Sequence, residues 1–491
     1  MSTRSPDATA PKAQGTNGIV AVLAFAGIVV ALMQTLVIPI IPQLPTLLDT
    51  SAANTAWVVT ATLLAGAVAV PVMGRLGDMF GKRRLLLVGL ALLVVGSVVG
   101  ALSDTVLPLI VGRVLQGLAS GVIPLGISVM RDVLPREKLA GSVALMSASL
   151  GVGGALGLPA AALIAEYADW HYLFWTSAAL GVVVTALVVA VVPESTVRAG
   201  GSFDFPGAAS LSIALVSLLL AISKGSSWGW TSGTTLGMLA LSLAAFAFWA
   251  WWELRTPLPL VDLRVTTRRQ VLFTNLASIA IGFALFAMSL VFPQVLQLPT
   301  ATGYGLGQSI LAAGLVMAPS GVIMMLVAPL SARITTTRGP KTTLMLGAVV
   351  IAAGYFIGVV TLSAVWLLVV ISMVIGAGIG LAYGAMPALI MGAVPASETG
   401  AANSFNTLMR SLGTSFASAV AGVILAQMTI DLGGRSIPSE AAFHVTMGVA
   451  AGAAVLSFVL AAFIPRFVAP TSGGTEDRVG QGHELVQERA E

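Results

Sequence analysis

Long apolar segments recur along this chain, and they constrain its fold more than any other feature. Fourteen stretches are long enough to cross the hydrocarbon core of a bilayer, which is roughly 30 Å thick and takes about 20 helical residues. Lipid offers no partner to an unpaired backbone group, and the sequence lacks the alternating pattern of barrel strands, so these stretches are predicted to be helices. They span residues 18–44, 53–74, 83–102, 106–130, 139–166, 172–193, 207–224, 232–254, 270–296, 307–332, 340–361, 363–391, 400–429 and 441–465.

Composition supports the same conclusion. Apolar residues make up 57% of the 491 residues and charged residues only 9%, whereas a soluble domain carries about 45–50% and about 25%. No water-soluble fold can bury that excess, so the predicted fold class is an all-α integral membrane protein with 14 transmembrane helices. The chain has no cysteine, which excludes disulfides, thiolate metal sites and cysteine nucleophiles.

The positions of lysine and arginine predict the orientation. The even-numbered loops and the two ends of the chain hold 20 of the 24 basic residues, and the odd-numbered loops hold only Lys224 and Arg435. By the positive-inside rule the even loops and both termini are expected in the cytoplasm. Such short, scattered clusters are typical of topology signals and not of a nucleic-acid surface. We expect a multi-pass monomer of the inner (plasma) membrane, whose first span is retained as an anchor.

An internal repeat predicts the organisation of the helices. Gly117-x-x-x-Gly121 is echoed by Gly376-x-x-x-Gly380, and other small-residue patterns recur at a similar offset of about 260 residues, as in transporters built from two repeats. This offset pairs spans 2, 4 and 5 with spans 10, 12 and 13. It predicts two pseudo-symmetric six-helix bundles plus two inserted helices, spans 7 and 8. The predicted parts are a cytoplasmic tail at 1–17, a bundle at 18–193, a linker with the two additional helices at 194–269, a bundle at 270–465 and a cytoplasmic tail at 466–491.

The segment 74–84, GRLGDMFGKRR, is predicted to form the short cytoplasmic turn between spans 2 and 3. Its glycines allow tight turning and close helix approach. Asp78 can accept hydrogen bonds from a helix N-terminus or pair with arginine, so it can form a latch in one conformation and release it in another. A plain positive loop is the alternative. The candidate latch residues are Gly74, Arg75, Asp78, Gly81 and Arg83.

This segment resembles the loop signature G-x-L-a-D-r-x-G-r-k of the major facilitator superfamily. Leu109-x-x-x-Arg113-x-x-Gln116-Gly117 in span 4 resembles the superfamily's second motif, which is centred on an intramembrane arginine. Together with fourteen spans, the chain resembles the drug/proton antiporter branch, and the resemblance covers nearly the whole chain. The segment 203–207, FDFPG, at the start of span 7 fits this branch, as do Glu253, Arg255 and the segment 259–263, PLVDL, around the end of span 8.

The resemblance implies a transporter that exports small amphipathic molecules by alternating access, with proton influx as the driving force. Span 5 is similar to the antiporter motif of the exporting branches, with Leu158 inserted between Gly157 and Pro159. We expect its small residues to permit close packing and its proline to loosen the backbone, as a hinge would require. The hinge candidates are Gly153, Gly154, Gly157 and Pro159. Generic tight packing is the alternative.

The position at which the branch usually carries an acid in span 1 is occupied by Met33. No acid of the sequence lies near the midpoint of a predicted span. The proton-coupling candidates are therefore Arg113, which must face the bundle interior because charge at a lipid-facing helix centre is costly, and two acids near span ends, Asp132 and Glu166. A structural arginine and ordinary interfacial acids are the alternatives.

A central cavity is expected to be apolar with a few polar groups. The candidates share a predicted position on a span where they can face the centre: Gln34, Trp57, Gln116, Asn275, Gln294, Tyr383, Asn403, Asn406 and Arg410. Because the deep charges are arginines, we expect neutral or anionic amphipaths to be preferred over dications.

Other classes of protein lack their signatures in the sequence. The only Gly-Lys pair, Gly81-Lys82, is followed by Arg83 and does not form a nucleotide-binding loop, and the motifs of intramembrane hydrolases are missing. We therefore expect no enzyme, no metal site and no cofactor. A proton-independent facilitator, an importer of the same fold and a transport-inactive membrane sensor remain as alternatives.

Overall fold

The computed structural model describes residues 13–40, 43–432 and 435–465. Within these residues, fourteen helices are long and apolar enough to cross a membrane. Spans 1 to 14 are Ala13–Thr35, Trp57–Phe80, Lys82–Ala101, Val106–Leu118 continued by Val122–Val133, Arg136–Tyr167, His171–Val191, Phe205–Trp228, Gly233–Glu253, Arg269–Gln297, Ile310–Arg338, Pro340–Val360, Val365–Met391, Thr399–Gln427 and Glu440–Ala462. The predicted all-α membrane fold is confirmed, including the break between spans 11 and 12.

Short elements fill the connections. A 3-10 turn, Ala119–Gly121, joins the two halves of span 4. Further short helices lie at Ile38–Ile40, Leu44–Leu47, Ala52–Thr55, Leu263–Thr266, Thr300–Thr302 and Ala396–Glu398. The loop between spans 13 and 14 holds a two-stranded antiparallel hairpin that the sequence did not indicate, β1 (Thr429–Leu432) and β2 (Arg435–Pro438).

Several predicted helix ends were wrong. Span 1 ends at Thr35 and not at 44, since Pro39 cannot donate the backbone hydrogen bond of a continuing helix.

Two other helix ends differ for a second physical reason. Span 2 continues to Phe80 and span 10 to Arg338, several residues beyond the predicted ends at 74 and 332. The segment 74–84 is therefore almost entirely helical, and only Gly81, with a φ of 115°, breaks it. Both predicted ends directly precede an arginine, Arg75 or Arg333. A charged residue does not have to end a helix, because its side chain can find a partner. The tails predicted at 1–17 and 466–491 lie outside the described residues except for 13–17, which are helical.

The packing of the spans shows the two-fold pseudo-symmetry. In the first bundle span 5 packs against span 1 and span 3 against span 6; in the second, span 13 packs against span 9 and span 11 against span 14. The bundles meet through the pairs 5–10 and 2–13, which exchange when span 2 is equated with span 10 and span 5 with span 13. Arg75 and Arg333, near the ends of equivalent spans 2 and 10, therefore lie at the same face of the helix array.

We call this side the basic face: the face at which span 2 ends and span 3 begins, together with the other even-numbered connections. The opposite side is the far face.

The inserted spans 7 and 8 form a hairpin beside the seam between spans 2 and 13. Span 7 packs against span 8, span 2 and span 13. An apolar cluster holds these elements together, with buried members from each of them: Ala67, Leu211, Leu215, Trp249, Phe405 and Leu408. The insert is thus attached to both bundles at the place where they meet.

Candidate functional site

Asp78 joins the two bundles at the basic face. Its side chain is fully buried, and its two oxygens accept hydrogen bonds from the backbone N–H groups of Gly400 at 3.0 Å and Ala401 at 2.8 Å. Both groups belong to the first turn of span 13, whose N–H groups have no partner within the helix. A carboxylate at this end of a helix also meets the positive end of the helix dipole. Span 2 of one bundle therefore caps span 13 of the other.

Gly74 lets spans 2 and 13 approach closely enough for this cap. A β-carbon at residue 74 would lie 2.6 Å from Cβ of Ser404 and 2.7 Å from the carbonyl oxygen of Gly400. Gly400 has the matching restriction, because its own β-carbon would lie 2.8 Å from the carbonyl oxygen of Gly74. Gly74 lies one turn before Asp78, and Gly400 is itself capped by Asp78, so the contact of the two glycines sets the distance that Asp78 has to bridge.

Lys82, the first residue of span 3, is buried completely beneath Asp78. Its Nζ lies 2.7 Å from Asp132 Oδ2 and 3.6 Å from Asp78 Oδ1, and it reaches the carbonyl oxygen of Ala396 at 3.4 Å. Ser195, in the connection between spans 6 and 7, also donates to Asp132. The structure thus places Asp132, a predicted proton-coupling candidate, within the basic-face network, where its carboxylate compensates a buried ammonium group.

Arg131 extends the network to the loop before span 13. Its guanidinium donates to Thr399 Oγ1 at 2.6 Å and to the carbonyl oxygens of Val394 at 3.1 Å and Pro395 at 3.4 Å. In the sequence, Arg131 and Lys82 count only among the basic residues that indicate orientation. Their position close to acids at helix ends is the signal that could have predicted the network.

The remaining latch candidates have other contacts. Arg83 donates to the carbonyl oxygen of Val189 in span 6 at 2.7 Å, within its own bundle. Gly81 forms the break between spans 2 and 3, in the left-handed region that favours glycine. Arg75 is buried, and its Nε has no hydrogen-bond partner among the described residues. It lines a cavity of about 310 Å³ between the bundles.

Arg113 is 2% exposed and holds three spans of the first bundle together. Its guanidinium donates to the carbonyl oxygens of Met33 at 3.1 Å and Val58 at 3.3 Å and to Gln116 Oε1 at 2.7 Å. Gln116 in turn donates to Ser97 Oγ at 2.8 Å. Backbone carbonyls of spans 1 and 2 thus solvate the charge, and Met33 contributes its backbone where the related branch carries an acid.

A cluster of polar side chains lies between spans 9, 12 and 13 of the second bundle. The guanidinium of Arg410 lies over the ring of Tyr383, 4.6 Å from its centroid, and donates to Thr407 at 3.2 Å. Asn406 donates to Asn275 Oδ1 at 2.8 Å, and both polar atoms of the Asn403 side chain are buried without a partner among the described residues. Five of the predicted cavity residues therefore lie on the facing helices of one bundle, with hydrogen-bonding capacity left over.

The other predicted cavity residues, and the proton-coupling candidate Glu166, lie away from this cluster of polar side chains. Gln34 is exposed and donates to Ser120 Oγ at 3.3 Å within the first bundle, and Gln294 donates to Leu290 of its own helix. Trp57 faces Lys224 of span 7, whose Nζ is 4.9 Å from the ring centroid. Glu166 is exposed near the end of span 5.

The small residues of span 5 pack against two partners. A β-carbon on Gly153 would lie 2.6 Å from that of Ala31, and one on Gly157 would lie 3.0 Å from that of Thr35, both in span 1. Pro159 instead contacts span 10 at Gly314. Gly154 has no atom within 4 Å of the position of a β-carbon. Span 5 thus lies between span 1 of its own bundle and span 10 of the other.

Comparisons with known proteins agree with this architecture. A family model described as Major Facilitator Superfamily matches residues 23–418, with a second match at 336–488. The chain is 29% identical over 413 residues to the tetracenomycin C resistance and export protein of Streptomyces glaucescens, which covers 82% of this chain and 74% of that protein. It is 25% identical over 378 residues to multidrug resistance protein 3 of Bacillus subtilis, covering 75% of this chain and 72% of that protein.

The chain is also 28% identical over 416 residues to an uncharacterized MFS-type transporter of Mycobacterium tuberculosis, covering 83% of this chain. It spans only 59% of the length of that relative. Among solved structures, the human organic anion transporter MFSD10 superposes with a TM-score of 0.64 at 15% identity, covering 91% of this chain and 99% of that one. With a family match over most of its length and two pseudo-symmetric bundles, the chain belongs to the major facilitator superfamily, and its relatives include multidrug transporters.

Proposed function

We propose that the chain is a secondary active transporter that exports small amphipathic molecules by alternating access. The observation that carries this proposal is the Asp78 latch, in which a side chain of one bundle caps a helix of the other at 2.8 and 3.0 Å. When the bundles separate, water can hydrate the carboxylate of Asp78 and the N–H groups of Gly400 and Ala401. The contact is therefore suited to form in one conformation and break in another, as alternating access requires.

The latch closes the basic face, and the positive-inside rule makes this the cytoplasmic face. On this orientation both termini are cytoplasmic, and the protein resides as a multi-pass monomer in the inner (plasma) membrane. The conformation described here is then closed towards the cytoplasm.

The second bundle supports the proposed substrate class. Arg410 is 5% exposed and has one hydrogen bond, to Thr407, so the guanidinium keeps donors for a ligand. Tyr383 supplies an aromatic surface beside it, and Asn403 supplies an unpartnered amide. Such a site favours neutral or anionic amphipaths, because a dication would meet a buried positive charge without a counterion.

Export is supported by the names of the relatives, which describe resistance and export of tetracenomycin C and multidrug resistance. Proton influx is the proposed driving force. It requires a titratable group that meets both sides of the membrane in turn, and the Met33 position lacks the acid of the related branch. This substitution favours a proton-independent facilitator as the second candidate.

Transport by the purified full-length chain in liposomes tests the proposal. Three fluorescent amphipaths with a similar apolar body and neutral, anionic or dicationic charge are compared, each with and without an imposed pH gradient. We expect the neutral and anionic probes to move faster than the dication and the gradient to drive their accumulation. Movement that ignores the gradient identifies a facilitator, fastest movement of the dication contradicts the substrate class, and movement of none of the probes contradicts transport of amphipaths.

Arg410→Gln is the matched variant for the site, and Arg338→Gln, at the exposed end of span 10, is its control. We expect Arg410→Gln to slow the anionic probe by about tenfold or more, since a lost charged hydrogen bond costs about 1.5–3 kcal/mol, and the control to leave it unchanged. Equal rates in the two variants would remove Arg410 from the site.

A further inference from the structure

Two buried carboxylates lie where the start of span 7 meets the end of span 8, which we call the junction of the inserted spans. The proposed transport cycle does not use them. Asp204 directly precedes span 7, and Glu253 is the last residue of span 8. Asp204 is 7% exposed and Glu253 is 2% exposed. Both belong to the sequence around spans 7 and 8 that resembles the antiporter branch, and the resemblance implies no role for either.

Each carboxylate uses one oxygen and leaves the other without a partner. Asp204 Oδ1 accepts from the backbone N–H of Gly207 and from the indole N–H of Trp252, both at 2.9 Å. Glu253 Oε1 accepts from the indole N–H of Trp249 at 2.8 Å. Asp204 Oδ2 and Glu253 Oε2 are buried and have no hydrogen-bond partner among the described residues.

The two carboxylates flank one narrow gap. A β-carbon added to Gly207 would clash with Asp204 Oδ2 and would lie 2.8 Å from Glu253 Oε1. Both side chains therefore border the position of a single missing methyl group. This places them within the roughly 4–6 Å at which like charges disfavour each other's ionisation.

Among the described residues, the nearby arginines contact other groups and form no salt bridge with the two carboxylates. Arg255 lies over the ring of Trp251, 4.4 Å from its centroid, and Arg264 donates to the carbonyl oxygen of Leu254 at 2.9 Å. Span 13 faces the junction with Phe405, which stacks on Trp249. The span 8–9 connection faces Glu253 with the backbone N–H groups of Leu260 and Val261, which favour its anion although neither meets the geometry of a hydrogen bond.

Span 2 contributes Arg75, which lines the cavity behind Leu260 and Val261 together with Arg198, Asp262 and Glu398. Within the described part of the chain, no salt bridge includes Asp204 or Glu253.

We propose that Asp204 and Glu253 bind one proton between them, as a carboxyl–carboxylate site at the junction of spans 7 and 8. Two adjacent buried anions without a counterion are strongly unfavourable, whereas one bound proton removes one of the two charges. The proton resides on Glu253, because Asp204 caps the N-terminus of span 7, where a negative charge is favoured, and Glu253 ends span 8, where it is disfavoured. Loss of the proton delivers it to water at the basic face and leaves two anions facing each other.

This site packs against span 13, the helix that Asp78 caps. The indole of Trp249, which donates to Glu253, stacks on Phe405 of span 13 with ring centroids 6.4 Å apart. Phe405 lies little more than one turn after Gly400 and Ala401, the residues that Asp78 caps. The proton therefore stabilises the packing of the inserted hairpin on span 13, whether or not the chain transports the proposed substrates.

Infrared spectroscopy of the purified full-length protein detects the proton directly. We expect a carbonyl band of a protonated carboxylic acid at neutral pH that is lost in Glu253→Gln and retained in Glu137→Gln, a substitution at an exposed glutamate of the same face. In Asp204→Asn the band should disappear at lower pH than in the wild type, since the neighbouring anion is gone. Identical spectra of the wild type and Glu253→Gln would overturn the proposal.

Thermal unfolding gives an independent measurement. The glutamine in Glu253→Gln keeps an oxygen for Trp249 and carries no charge, so it imitates the protonated glutamic acid and should fold. As the pH rises from about 4.5, close to the pKa of glutamate in an unfolded chain, to about 8, the unfolding midpoint of the wild type and of Glu137→Gln should fall further than that of Glu253→Gln. The same pH dependence in all three proteins would contradict a shared proton.

Discussion

Replacing Asp78 with alanine should open the latch at the basic face. The substitution removes the acceptor of two N–H groups of span 13 and leaves them buried against span 2. Hydrogen bonds to a buried charged group contribute about 1.5–3 kcal/mol each. Water hydrates the same groups in the open state, so we use the lower figure and expect a total loss of about 3 kcal/mol, which lowers the ratio of closed to open molecules by roughly 100-fold.

Asparagine at this position should have a smaller effect. Its amide keeps one acceptor oxygen but loses the charge and one of the two bonds, so we expect about 1.5 kcal/mol and a roughly tenfold shift. Lys82 keeps its bond to Asp132 at 2.7 Å in both variants, and the buried ammonium group is not left without a partner.

Distances between spin labels measure this equilibrium. The chain has no cysteine, so cysteines introduced at Arg136 and Thr337 carry the only labels. Both positions are exposed, at the basic-face ends of spans 5 and 10 in opposite bundles. Asp262→Asn is the matched control, because Asp262 also caps a helix, at Arg264, but the capped helix does not join the bundles. An unchanged distance distribution in Asp78→Ala would refute the latch.

Three further substitutions test the packing around these sites. Gly74→Val should separate spans 2 and 13 and shift the same label distances by an amount equivalent to about 1–3 kcal/mol, whereas Gly237→Val, with no atom within 4 Å, should not. Gly157→Val should lower the thermal stability by a similar amount through its collision with Thr35 in span 1, and Gly154→Val, which meets open space, should leave the midpoint unchanged. Arg113→Gln should cost about 3 kcal/mol of stability, because two backbone carbonyls lose a charged donor, measured as a lower unfolding midpoint in detergent at constant pH.

Hydrophobic length and the offset of small-residue motifs were sufficient to predict the fold. Both depend on properties that each segment carries by itself: a helix in lipid needs about 20 apolar residues, and two equivalent bundles repeat the same close contacts. The pair Gly117 and Gly376 illustrates the second point, since each packs against the backbone of the span expected from the repeat, at Thr62 in span 2 and at Ser320 in span 10.

The basic-face network was not predictable in the same way. Lys82 looks like a cytoplasmic marker in the sequence, yet it is completely buried between two acids from spans 2 and 4. The first turn of span 13 has no polar signature at Gly400 and Ala401, because its contribution to the latch is made by backbone N–H groups. A single sequence shows which side chains are charged, but it does not show which of them meet after the bundles pack.

The distribution of buried charge with depth bears on how protons and substrate are coupled. Arg113 and Arg410 lie within their spans, whereas the buried carboxylates of Asp78, Asp132, Asp204 and Glu253 all lie at the basic face. Under the proposed function, a substrate beside Arg410 therefore meets a cation, and a proton that enters from the basic face meets carboxylates in a different layer. Under this proposal the proton and the substrate do not compete for one of the described carboxylates. Span 13 connects the two layers instead, because Arg410, Phe405 and the residues capped by Asp78 are all on it, so we expect coupling to act through the movement of this helix.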